Sequence, residues 1–162
     1  MSGEKPIRME VRGLMLDPSS NNPIVVLRDP ESQTFLPIWI GLFEASAIQL
    51  GLEDSDSPRP RTHDLLAAIL DTLGGKVSKV VVEDLREQTF YAVIHVEQDD
   101  RHLEIDARPS DAIALALLTK APVFVHPVVL EKAQADDGTT EEERVKKLLE
   151  DLDVEDLGEY EM

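Results

Sequence analysis

The run from His102 to Leu118 constrains the fold more than any other part of this chain. Leu103, Ile105 and Ala107 alternate with polar residues, the period-two pattern of a half-buried strand. Pro109 cannot donate to a sheet ladder and holds Arg108 extended, so the strand stops there. Ser110 is placed to cap a helix whose first turn holds Asp111, where a carboxylate meets the positive end of the macrodipole. The helix that follows, through Leu118, is almost wholly apolar and reads as a core element. Such a strand-to-helix corner gathers Asp106, Arg108, Ser110 and Asp111, and a polar site is expected there first.

The preceding residues supply strands and two more helices. Ile7 to Leu16, Pro23 to Arg28 and Phe35 to Ile40 read as strands, the first two joined by the turn residues Asp17 to Asn22. Pro37 marks the third as an edge or a bulge. Leu42 to Leu52 is expected to be helical with Glu44 in its first turn. After a polar, proline-bearing loop, Thr62 is placed to cap a second helix, His63 to Leu73. There Leu65, Leu66, Ile69, Leu70 and Leu73 share one face, and Gly74-Gly75 closes it. Val77–Asp84, Thr89–Glu97 and His102–Ala107 then repeat the strand pattern. A shift of 67 residues superposes Asp17 on Asp84, Leu36 on Leu103, Ala45 on Ala112 and Glu44 on Asp111. The expected fold is therefore α+β, built from two β-β-β-α units around a mixed sheet, with a barrel as one closure of that sheet.

The expected domain spans residues 1–133, ending in a short strand near Val123 and a helical turn over Val128 to Ala133. Residues 134–162 read as an acidic linker and an amphipathic helix, with a capping box at Thr140 to Glu143 and a stripe of Val145, Leu148, Leu149 and Leu152. Of the net charge of −17, about half sits after residue 130, where 4 basic residues face 13 acidic ones. That balance opposes nucleic acid on average, because nucleic-acid binders carry a basic footprint. The absence of cysteine removes disulfides and thiolate ligands. With no long apolar run and no basic leader, the expectation is a cytoplasmic protein without membrane contact.

Three segments carry a family likeness: Pro58-Arg59-Pro60-Arg61-Thr62-His63-Asp64-Leu65, Asp106-Ala107-Arg108-Pro109-Ser110-Asp111-Ala112, and Leu36-Pro37-Ile38-Trp39-Ile40-Gly41 with Glu44-Ala45. Over residues 8 to 133 the chain resembles the bifunctional nuclease domain. The resemblance implies an α+β fold, self-association into a homo-oligomer, and cleavage of both DNA and RNA. Phosphodiester hydrolysis needs an activated water, a neutralised phosphate and a proton for the leaving oxygen. At the family's motif positions, His63, Asp64, Arg108 and Asp111 are the candidate catalytic residues. Arg59, Arg61 and Ser110 are the candidates for holding substrate. Glu44, Asp106 and Asp111 are the candidate ligands for Mg²⁺ or Mn²⁺. Each also has a structural reading: Asp64, Glu44 and Asp111 as helix-start acids, and Arg108 as an ion-pair partner. His95, His102 and His126 lie in strands outside the motifs and read as structural. The competing function is a non-catalytic oligomeric module that meets a protein partner through its C-terminal helix.

Overall fold

The computed structural model describes residues 4–135, and among these the chain forms seven strands and four helices. β1 (Ile7–Leu16), β2 (Pro23–Arg28) and β3 (Phe35–Trp39) make an antiparallel meander. Then come α1 (Leu42–Glu53) and α2 (Thr62–Thr72). A second antiparallel meander, β4 (Gly75–Arg86), β5 (Thr89–Gln98) and β6 (Arg101–Ala107), leads into α3 (Pro109–Thr119). β7 (Val123–Val125) and α4 (Pro127–Ala135) complete the described chain. The expected C-terminal helix lies outside the described residues.

The strands lie side by side in the order β3-β2-β1-β7-β4-β5-β6. β7 joins the two meanders, antiparallel to β1 and parallel to β4, so the sheet is mixed. It does not close into a barrel: β3 and β6 are its two outer strands and do not pair with each other. The helices explain this. The core lies between the sheet and the helical layer, with Leu27, Ile38, Val80, Val82 and Ile94 packed in one cluster with Ile48, Ile113 and Leu115. In a small closed barrel that sheet face would be filled by side chains of the other strands rather than by helices.

Local chemistry fixes the ends of the elements. Pro37 sits on an edge strand, where its missing N–H costs nothing. Burial would raise the Asp17 carboxyl. Bonds from the Ser19 backbone, the Trp39 indole and the Ser19 and Ser20 hydroxyls more than offset this and hold it at about 2, locking the turn after β1. α1 and α3 approach closely at Gly51, where an added Cβ would stand 2.9 Å from Cβ of Leu117. α3 is the expected core helix, with Ala112, Ile113, Ala114, Leu115 and Ala116 all buried. Its N-cap is Arg108 rather than Ser110, because Pro109 already supplies a helical φ at the first position. Likewise α2 begins one residue early, at Thr62, since the Asp64 carboxylate accepts the Arg61 backbone N–H at 2.9 Å.

α2 departs most from expectation. Its apolar stripe is not its buried face: Leu65 and Leu73 are 52% and 65% exposed, and Leu66 and Ile69 are exposed as well. Of the stripe only Leu70 packs against the core, joined there by Ala67.

Candidate functional site

The beginnings of α1, α2 and α3 meet at an open cleft of about 410 Å³ lined by Glu44, Arg61, His63, Asp64, Arg108 and Asp111, with Phe43, Leu50 and Leu118 among its apolar walls. Asp111 is the hub. Its Oδ1 lies 3.0 Å from Nε2 of His63, and its Oδ2 accepts Nε–H of Arg108 at 2.9 Å. An ionised carboxylate only accepts, so Nε2 of His63 carries the proton and Nδ1 is the nitrogen left for other work. Burial would raise the Asp111 carboxyl, but Arg108 and His63 outweigh it and hold it below the usual aspartate range. Nη1 of Arg108 lies 3.6 Å from Oε2 of Glu44, so one guanidinium serves carboxylates from two helices. The Arg108 side chain is 65% exposed and that of His63 only 15%: a held imidazole beside an accessible cation.

The other residues singled out in the sequence fall in different places. Arg61 and Asp64 line the cleft but are spent on each other. Nε of Arg61 donates to Oδ2 of Asp64 at 2.9 Å, and Nη2 donates to the Ser55 carbonyl at 2.6 Å. The Arg61 bonds hold the Asp64 carboxyl below its usual range. Ser110 is buried and borders a separate depression with Trp39, Gly41 and Phe90. Arg59 is exposed on the loop before α2 and does not line the cleft. Asp106 on β6 pairs with Val93 on β5, on the sheet face opposite to Ile105 and the core.

A model of the bifunctional nuclease domain matches residues 25–137. The chain belongs to the bifunctional nuclease domain family. It is 37% identical over 154 residues to an uncharacterized protein of Mycobacterium tuberculosis, covering 90% of this chain and 92% of that protein. It is 27% identical over 119 residues to bifunctional nuclease 2 of Oryza sativa subsp. japonica, covering 71% of this chain and 37% of that protein. To bifunctional nuclease 1 of Oryza sativa subsp. indica it is 22% identical over 113 residues, covering 68% of this chain and 34% of that protein. This chain thus spans about a third of the rice proteins.

The bifunctional nuclease motif residues do not form a ready metal site in the cleft. Both oxygens of Asp111 are engaged, and the Arg108 guanidinium stands where a cation bridging Glu44 and Asp111 would sit. Among the described residues, three potential ligands come together elsewhere. Glu83, His95 and Glu104 bring one ligand atom each within 4.8 Å of one another. In the sequence His95 reads as structural, and neither glutamate stands in a motif. The hairpin register was the available signal, since β5 and β6 joined by a tight turn set His95 opposite Glu104. No helix among the described residues is long and apolar enough to cross a membrane.

Proposed function

We propose that this protein is a nuclease that hydrolyses phosphodiester bonds of DNA or RNA in the cleft between α1, α2 and α3. The His63–Asp111 contact at 3.0 Å carries this reading. Asp111 fixes the tautomer and orientation of His63 and stabilises the imidazolium that forms when His63 accepts a proton. Nδ1 of His63 is then the general base toward an attacking water, and as the P–O bond to the departing oxygen breaks, solvent in the open cleft supplies the proton that oxygen needs. Arg108, oriented by Asp111 and Glu44, presents its outer N–H groups to the phosphate and stabilises the charge that develops there. The pairing of Arg61 with Asp64 makes them a support for the α2 start that carries His63. A requirement for Mg²⁺ or Mn²⁺ fits this cleft poorly, because Arg108 already supplies the positive charge.

The test is cleavage of single- and double-stranded substrates by purified protein, wild type beside His63→Ala, with Mg²⁺, with Mn²⁺ and with chelator. Cleavage that survives chelator and is lost in His63→Ala supports the dyad. Cleavage equal in the two proteins overturns it. A second reading, a non-catalytic homo-oligomeric module, is favoured by the exposed apolar face of α2. The strand order, which maps onto itself when the two meanders are exchanged about β7, supports the reading of a duplicated β-β-β-α unit.

A further inference from the structure

We propose that Glu83, His95 and Glu104 form a binding site for one first-row divalent transition ion, of the Zn²⁺ or Co²⁺ type, on the sheet face away from the cleft. His95 lies between Ile94 and Val96, whose side chains enter the core, so its imidazole emerges on the other face. It is nonetheless only 8% exposed, and its Nε2 is buried with no hydrogen-bond partner. A buried ring nitrogen is rarely left so.

A chain of hydrogen bonds explains which way that nitrogen is made. Nδ1 of His102 lies 2.7 Å from Oε1 of Glu97, and a carboxylate can only accept, so Nδ1 of His102 carries the proton. With both rings neutral, Nε2 of His102 is then a lone pair. It lies 2.9 Å from Nδ1 of His95, which must therefore be the donor. What remains on Nε2 of His95 is a lone pair, 4.0 Å from Oε1 of Glu83. A lone pair facing two carboxylates is repulsive unless a cation stands between them. A metal ion takes the neutral imidazole as it is.

The geometry suits such an ion. Ligands bound at roughly 2.0–2.2 Å to a single ion stand roughly 3–3.5 Å apart. The three groups, all within 4.8 Å, need to close by about 1–2 Å, which the long glutamate side chains supply by rotation. Glu104 pairs with His95 across the β5–β6 ladder, and Glu83 is the extra residue at the β4 bulge between Val82 and Asp84. Bulges re-aim side chains in this way. Glu97 and His102 give the outer support that metal-bound imidazoles need. One imidazole with two carboxylates selects a transition ion over Mg²⁺ or Ca²⁺, which prefer oxygen throughout. Lys79, paired with His95 across β4–β5, is the opposing charge.

The experiment is calorimetric Zn²⁺ titration of the chelator-stripped full chain, with Co²⁺ absorption as the second readout and no nucleic acid present. One equivalent is expected, weakened at least 10-fold by Glu104→Gln and by His95→Gln. Glu97→Gln should weaken binding about 10-fold by freeing the His102–His95 relay, and Lys79→Met should tighten it. Glu104→Gln alters an exposed side chain and keeps the test valid if His95→Gln fails to fold. No Co²⁺ spectrum, or affinity unchanged in Glu104→Gln, overturns the site. Either result leaves the His63–Asp111 cleavage test untouched.

Discussion

α2 and α3 open on the same device. In each, an arginine is the N-cap and an aspartate stands three residues on, with arginine Nε and aspartate Oδ2 2.9 Å apart in both. The two differ in what surrounds the pair. Arg61 turns inward to the Ser55 carbonyl, and Asp64 also receives the Arg61 backbone N–H, so the pair at α2 is closed on itself. At α3 the guanidinium remains exposed, reaches toward Glu44, and leaves Oδ1 of Asp111 free to hold His63. A local motif therefore makes a helix cap in both places. Only tertiary packing, which sets the α2 imidazole against the α3 carboxylate, makes one of them a candidate for chemistry.

The largest expected effect tests that asymmetry directly. Asp111→Asn and His63→Ala should each lower cleavage by about 10²–10⁴-fold, and the double variant should be no worse than His63→Ala alone. Such non-additivity is the mark of residues acting as a unit. Multiplying losses in the double variant, measured as kcat/KM on one substrate, would show that Asp111 and His63 act separately.

Much of the α3 opening could be read from the sequence, and much less of α2. Pro109 after Arg108, followed by an unbroken apolar run, dictates a strand, a corner and a buried helix with little freedom. The periodic leucines of α2 show that a face of that helix avoids water, but periodicity does not say what covers it. The structure covers only Leu70 of that stripe, together with Ala67. Likewise Arg61 and Asp64 carry the right groups at the right spacing, yet no sequence pattern tells a self-satisfied pair from an open one. His95 reads as structural in the sequence because its partners come from separate strands and meet only through register and a bulge.

Packing differs as sharply as chemistry between the two helices. Ile113 is fully buried in α3, so Ile113→Ala should cost about 2–5 kcal/mol in urea unfolding. Leu66→Ala in α2 should stay within about 0.5 kcal/mol. Similar costs at the two positions would remove the contrast between a buried wall and an exposed one.

The two caps should also share a pH signature. The Asp64 and Asp111 carboxyls both titrate below the ordinary 3.8, so their contribution is complete above that value and is lost as pH falls through the lowered one. Asp64→Asn should cost about 1 kcal/mol at neutral pH and flatten the fall in the urea midpoint below about pH 4. A fall as steep as in wild type would mean that the Arg61 pairing contributes nothing to stability.

The smallest effect on folding is expected on the exposed face of α2, and its value lies in that smallness. Leu65 and Ile69 are about half exposed and stand outside the core cluster, so replacing both with glutamine removes little core packing within one chain and should leave the stability of dilute protein within about 1 kcal/mol. An apolar face of this kind marks an association surface when it is contiguous. Sedimentation of wild type against the double variant therefore separates two accounts. A lower mass for the variant at unchanged stability means that α2 presents His63 to the cleft on one side and docks a second copy on the other. Equal masses leave that face of α2 exposed, with its cap and its contacts to α3 and the sheet holding His63 in place.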